Sequence, residues 1–405
     1  MSQPGFRSFS PALKRFFIAT VINMIGSSML FAFVFMYLDE VRGFSSSRAG
    51  LAVGMTPIAM VLTTPLAGFL SDRFGPRRVL TIGCLLSIIA GCGYIWVDAF
   101  VPALLVAMLM GVANGMWFPS QSALLTLAVP TEMRPTMSAF QRTAINVGAA
   151  LGGAIGGFLA DVNRLGSFQL LFVINVATYL VFLACLPAMP TGKVERTKAQ
   201  RSTDGGFRQV LGDRFYVKLL ASDLGVAFAF GFLFGVMPPF AKKIGLSETE
   251  IGLLFGLGAL SVVSMQIPIL RLVRGRRRMR CLSVMNAAFV VAFVVTSMSV
   301  GVSHWMAIAF IAGGQILGGV GESLLGAIRQ PLTSDLAPEA LVGRYFGLAA
   351  MVFQGGMGAA NAVGGALMDK SLRGIWLVGG AIAAYAMVHS LILDRQIDPK
   401  LALSH

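Results

Sequence analysis

Gly68-Phe69-Leu70-Ser71-Asp72-Arg73-Phe74-Gly75-Pro76-Arg77-Arg78 is a short charged segment set between two long apolar runs, at about 48–70 and 79–97. Neither run carries an acid or a base in its interior. At 1.5 Å per residue each is long enough to cross about 30 Å of hydrocarbon. The segment therefore predicts a tight turn between two membrane helices.

The same alternation fills the chain. Of its 405 residues, 56% are hydrophobic and 12% charged, and the mean hydropathy is +0.77. Soluble domains carry about 25% charged residues, so soluble and disordered classes are excluded. The short alternating strands of a membrane barrel are absent from the pattern. Twelve spans are expected, at about 16–38, 48–70, 79–97, 102–128, 137–160, 168–188, 216–240, 248–270, 281–300, 304–334, 345–368 and 376–394. The fold class is an all-α membrane protein.

The net charge of +14 would suggest nucleic acid in a soluble protein. Here the charge lies between spans, so it reports topology and no nucleic-acid partner is expected. With the N-terminus inside, 23 Lys and Arg fall in inside segments and 7 in outside ones, with Lys218 and Arg329 inside spans. This asymmetry predicts that both termini are cytoplasmic. Arg7, Lys14 and Arg15 precede a first run too long for a signal-peptide core, so no cleaved leader is expected. Cys84, Cys92, Cys185 and Cys281 lie in or beside apolar runs, as buried thiols do. His304, His389 and His405 have no ligand spacing, so no metal site is expected.

The longest polar stretch, 189–215, sits mid-chain and divides it into two six-span halves, 1–188 and 216–405. A repeat supports that division. Pro130, Gly148, Gly156 and Gly157 recur 208 residues later as Pro338, Gly356, Gly364 and Gly365. Two parallel halves are a transporter plan.

The 68–78 segment resembles the cytoplasmic loop motif of the major facilitator superfamily, G-x-x-x-D-R/K-x-G-R-R/K, through Gly68, Asp72, Arg73, Gly75 and Arg77, with Pro76 in place of a basic residue. With twelve spans and a central loop, the resemblance covers the whole chain and implies two pseudo-symmetric six-helix halves. The motif implies a conformational latch. Gly68 would let a neighbouring helix approach, and Asp72 would pair with Arg73 or with a helix N-terminus in one state and release it in the other. The corresponding loop of the second half, Arg271 to Arg280, has six arginines and no acid. It reads as a positive-inside anchor, with lipid headgroups as the alternative.

Span five holds Gly148-x-x-x-Gly152-Gly153-x-x-Gly156-Gly157. It is similar to the antiporter motif of that superfamily, G-x-x-x-G-P-x-x-G-G, with Gly153 for Pro. Glycines four apart share a helix face and permit close packing. Exporters of the family place an Arg four residues before a Gly in span four, where this chain has Ala107 before Gly111.

Ionisable residues inside a membrane are costly and are candidates for function. Three stand out: Asp223 in span seven, and Glu322 and Arg329 in span ten. Asp223 and Arg329 are expected at similar depth. In the family, spans one, four, seven and ten line the cavity, so the three could share it, with the polar residues Asn23, Asn114, Gln121 and Gln315. Gln121 lies 208 residues from Arg329, and related sequences often carry Arg at both positions. A midplane carboxyl group takes up a proton when alone and gives it up when a cation arrives, which is an antiport switch for Glu322. The plain alternative is a fixed pair of Arg329 with Glu322 or Asp223 that braces two spans.

The resemblance is to bacterial twelve-span drug:proton antiporters. It implies a monomeric, multi-pass exporter in the inner (plasma) membrane. Its partners would be lipophilic small molecules, cationic ones included, protons and membrane lipids. The proton gradient would supply the energy, with no bound cofactor. Export of a specific metabolite (sugar, amino acid or siderophore), lipid or lysolipid flipping, and a transport-dead receptor or scaffold are the alternatives. No nucleophile–base pair or nucleotide loop supports an enzyme.

Overall fold

The computed structural model describes residues 9–130, 133–189, 206–338, 341–399 and 401–403. Its long helices in chain order are α1 Pro11–Met36, α2 Ser46–Phe74, α3 Pro76–Ile95, α4 Phe100–Ala128, α5 Arg134–Leu159 and α6 Leu165–Cys185. They continue as α7 Arg214–Phe230, α8 Glu248–Val273, α9 Arg278–Ser297, α10 His304–Leu336, α11 Val342–Met368 and α12 Leu372–Leu393. Two run on through π turns: α1 through Tyr37–Val41, and α7 through Gly231–Val236 into Met237–Lys243. Eleven are long and apolar enough to cross a membrane. In α5 the apolar part is Thr143–Leu159. Most of the expected linker, 190–205, lies outside the described residues.

The chain forms two compact units, Met1–Glu195 with Ser247–Gly256, and Arg196–Leu246 with Leu257–His405. In the first unit, α1 packs on α5 and α6, and α4 packs on α2 and α3. Side chains interlock where glycine removes bulk. A Cβ at Gly111 would meet Ala59 and the Thr56 backbone of α2, and Thr56 Oγ1 donates to the Ala107 carbonyl at 3.1 Å. The core of this unit is aromatic, with Trp117 edge-on to Tyr179 and to Phe182, at 5.2 Å in both cases. In the second unit, α9 lies between α12 and α10, and α7 between α11 and α12. Phe232, Phe240 and Phe293 surround the buried Trp376 there. Within hydrocarbon the helices gain little from burying apolar surface, so close packing and hydrogen bonds between helices position the site.

Candidate functional site

Glu322 stands in α10 at a small cavity of the second unit, lined by Phe230, Leu233, Phe234, Phe289 and Gln315. The space is about 10 Å³, room for about one water molecule. The glycines before Glu322 create this niche. A Cβ at Gly318 would meet the Leu233 side chain at 2.6 Å, one at Gly319 would meet Ser261 at 2.7 Å, and one at Gly321 would meet the Phe289 ring at 2.8 Å. Each glycine thus admits a different helix: α7, α8 and α9. Gln315 is buried, and its Nε2 donates to the Leu233 carbonyl at 3.4 Å. That carbonyl belongs to the π turn of α7, a feature common at functional sites. Glu322 is half-buried and has no hydrogen-bond or ion-pair partner among the described residues.

Asp223 and Arg329 form a separate, direct pair between α7 and α10. Arg329 Nε donates to the two Asp223 carboxylate oxygens at 2.7 and 2.8 Å, and Nη2 donates to Oδ2. Nη1 donates to Thr333 Oγ1 one turn on, and the guanidinium lies 5.6 Å from the Tyr216 ring centre. Tyr216 donates to the Tyr345 carbonyl at 2.5 Å. Tyr345 donates to Asp213 Oδ2 at 2.8 Å, and Asp213 Oδ1 caps α7 at the Tyr216 amide. The pair is thus embedded in a ladder joining α7, α10 and α11. Of the two acids considered as a partner for Arg329, the pair forms with Asp223, and Glu322 stands apart from it at its own niche. Thr333 was legible in principle, four residues from Arg329. Tyr216, Tyr345 and the three phenylalanines gave no signal among 30 Phe and 6 Tyr.

The polar candidates of the first unit are neutral. Gln121 Nε2 donates to Thr20 Oγ1 at 3.3 Å, joining α4 to α1. Asn23, one turn after Thr20, is fully buried, and neither amide atom has a partner among the described residues. Asn114 is half-buried on α4.

The residues of the loop motif divide. Gly75 adopts φ +87° between α2 and α3, a conformation that favours glycine. Arg77 Nη1 donates to the Pro187 and Met189 carbonyls at 3.1 and 3.0 Å, tying the loop to the end of α6. Arg73 is exposed, its guanidinium 5.3 Å from the Phe74 ring centre. A Cβ at Gly68 would meet nothing within 4 Å. Within its own unit, Gly68 thus leaves room beside α2. The Asp72 side chain lies outside the described residues.

The span-five glycines use two faces. Gly148, Gly152 and Gly156 lie against α1, where Cβ atoms would strike Met24, Ile25 or Ser28, and Phe33. Gly153 and Gly157 lie against the Ser247–Gly256 segment of the same unit, where Cβ atoms would strike Phe255 and Gly252. Thr249 donates to the Gly157 carbonyl at 3.2 Å, and the Val162 amide donates to Glu248 at 3.1 Å.

Comparison with known proteins places this geometry. The family model described as Major Facilitator Superfamily matches residues 16–315. An uncharacterized MFS-type transporter of Bacillus subtilis (strain 168), YttB, is 23% identical over 390 residues, covering 95% of this chain and 96% of its own. Multidrug resistance protein 1 of the same organism is 26% identical over 227 residues, covering 53% and 55%. Two solved structures share the fold. A POT family transporter in complex with 5-aminolevulinic acid has a TM-score of 0.78 at 14% identity, covering 99% of each chain. A D-xylose-proton symporter has a TM-score of 0.71 at 16% identity, covering 93% and 96%. With a family match over most of its length and the all-helical, multi-span fold of those transporters, this chain belongs to the Major Facilitator Superfamily.

Proposed function

We propose that this transporter exports lipophilic small molecules, cationic ones among them, by proton antiport, and that Glu322 carries the proton. One observation carries the reading. Asp223 is held by Arg329, whereas Glu322 faces a water-sized space among phenyl rings and has no partner among the described residues. An acid in that setting exchanges a proton as water and charge come and go. A single carboxylate beside one amide supplies too few oxygens for a hard metal cation, which takes about six. The phenyl rings suit an apolar or cationic guest by dispersion and cation–π attraction. The likeness to a multidrug resistance protein supports an efflux role, and the family supports alternating access with the termini on the cytoplasmic side.

The test is proton flux in liposomes that contain a pH-sensitive dye and an imposed gradient. Ethidium, tetraphenylphosphonium, neutral drugs, sugars and lysolipids are added to wild type and to Glu322→Gln. Proton movement with the lipophilic cations, lost in Glu322→Gln while substrate exchange at equal pH persists, is expected. Gradient-driven transport that survives Glu322→Gln overturns the assignment.

A further inference from the structure

Cations inside membrane segments nearly always face the helix bundle or a carboxylate. Lys218 does neither. It lies one turn inside the start of α7, about 6 Å along the axis, with its side chain exposed. Its Nζ donates to a neutral oxygen, Gln396 Oε1, at 2.8 Å. Across the groove between α7 and α12, His389 Nε2 meets the Lys218 carbonyl at 3.0 Å. Since a carbonyl only accepts, that nitrogen is the donor. Tyr385 stacks on His389, ring centres 5.7 Å apart, and is 61% exposed.

Two further cations complete the group. Arg214 is four residues before Lys218 and so shares its helix face. Arg395 adjoins Gln396. Both are exposed, and neither has an acidic partner among the described residues. Of the neighbouring acids, Asp394 is held by Arg277 and Arg280 at 2.9 and 3.1 Å, Asp213 accepts from Tyr345 and the Tyr216 amide, and Asp398 is exposed three residues beyond Arg395. Around the cluster the exposed side chains are Val217, Leu224, Val388, Leu391 and Ile392, an apolar surface of the kind that meets lipid tails.

We propose that this groove binds the headgroup of an anionic phospholipid. The phosphate sits among Arg214, Lys218 and Arg395, His389 and Tyr385 flank the glycerol region, and the tails lie along α12. Charge complementarity and depth select this occupant. Three cations without an acidic partner among the described residues lie at one end of α7 and α12, where the polar headgroup layer, about 5–7 Å thick, is expected, beside exposed apolar surface where hydrated free phosphate gains nothing. The site is independent of the transport cycle proposed above.

The experiment is native mass spectrometry of the full-length protein released from vesicles of equal phosphatidylglycerol and phosphatidylcholine. Wild type is expected to retain phosphatidylglycerol over phosphatidylcholine by about fivefold or more, since each nearby Lys or Arg contributes about a factor of five. R214Q/K218Q/R395Q should bring the ratio to about one. His389→Leu removes a polar contact to the glycerol region and should lower the ratio about threefold, the effect of one hydrogen bond. The control R164Q/K370Q/R373Q removes the same charge at exposed positions outside the groove and should retain the wild-type ratio. Equal retention of the two lipids by wild type, or an equal loss in the control, overturns the proposal. A thermal transition like that of wild type checks that each variant is folded.

Discussion

Gln121 and Arg329, 208 residues apart in the repeat, each reach the first long helix of their own unit: Gln121 donates to Thr20 at 3.3 Å, and Arg329 to Asp223 at 2.7 and 2.8 Å. The two halves thus build the same cross-link, neutral in one and charged in the other. The charged version is buried, with side chains 8% and 12% exposed. Removing one partner of such a pair leaves an unpaired charge and costs roughly 3–5 kcal/mol, whereas removing both is far milder. Asp223→Asn and Arg329→Gln should each lower the thermal transition sharply, and the double variant should recover much of the loss. Thr20→Val or Gln121→Leu should cost only about 1 kcal/mol. Thermal unfolding of the purified protein, read as a double-mutant cycle, gives the comparison. Additive single effects would mean the pair is not the brace described.

The glycines around Glu322 make a separate prediction. Gly319→Ala drives a methyl group into Ser261 and to within 3.0 Å of the Gly258 carbonyl. Backbone cannot swing aside, so α8 and α10 must part, at a cost of about 1–3 kcal/mol. At Gly321 the nearest atoms to the new methyl group all belong to the Phe289 ring, a side chain and not backbone, so Gly321→Ala should be milder. Gly347→Ala and Gly355→Ala meet nothing within 4 Å and should be neutral or stabilising by about 1 kcal/mol, the helix-propensity difference between the two residues. Thermal unfolding together with transport rates ranks the four. A Gly319→Ala protein as stable as Gly355→Ala contradicts this packing.

The transmembrane helices were legible because length and apolarity alone define them, but their ends were not. α1 begins at Pro11 and carries Lys14 and Arg15 within it, since a helix continues past the hydrocarbon into the headgroup layer. At the site, the depth argument placed Asp223 beside Arg329. The niche around Glu322 was not legible, because it depends on Gly318, Gly319 and Gly321 admitting three different helices, a tertiary fact invisible in spacing. The likeness of the 68–78 segment to a family motif likewise did not reveal that Arg77 serves α6 or that Gly68 leaves room beside α2 within its own unit.

That division within the motif is testable. Arg77 holds two carbonyls at the end of α6. Hydrogen bonds from a charged group contribute about 1.5–3 kcal/mol. Arg77→Gln should destabilise, and Arg77→Lys should recover only part, because a single ammonium lacks the planar guanidinium fork. Arg73 touches only the adjacent Phe74 ring among the described residues, an exposed contact contributing about 0.5–1 kcal/mol. Arg73→Gln should leave the thermal transition nearly unchanged. If Arg73→Gln nevertheless abolishes transport, its role lies in the conformational cycle. Equal destabilisation by the two substitutions contradicts the separate roles drawn here.

Orientation rests on charge. With six arginines in 271–280, the loop between α8 and α9 is the most basic short loop of the chain, and short basic loops stay on the cytoplasmic side. That orientation predicts an outward-facing loop between α9 and α10, which ends at Ser303. Ser303 and Arg274 are both exposed, and Ser303 makes no side-chain capping bond. In a variant with Cys84, Cys92, Cys185 and Cys281 replaced by Ser, a membrane-impermeant maleimide on intact cells should label Ser303→Cys and not Arg274→Cys. After lysis both should react. The opposite pattern would invert the chain and place the 68–78 segment, Arg77 and the bound end of α6 on the outer face, where a cytoplasmic latch has no function.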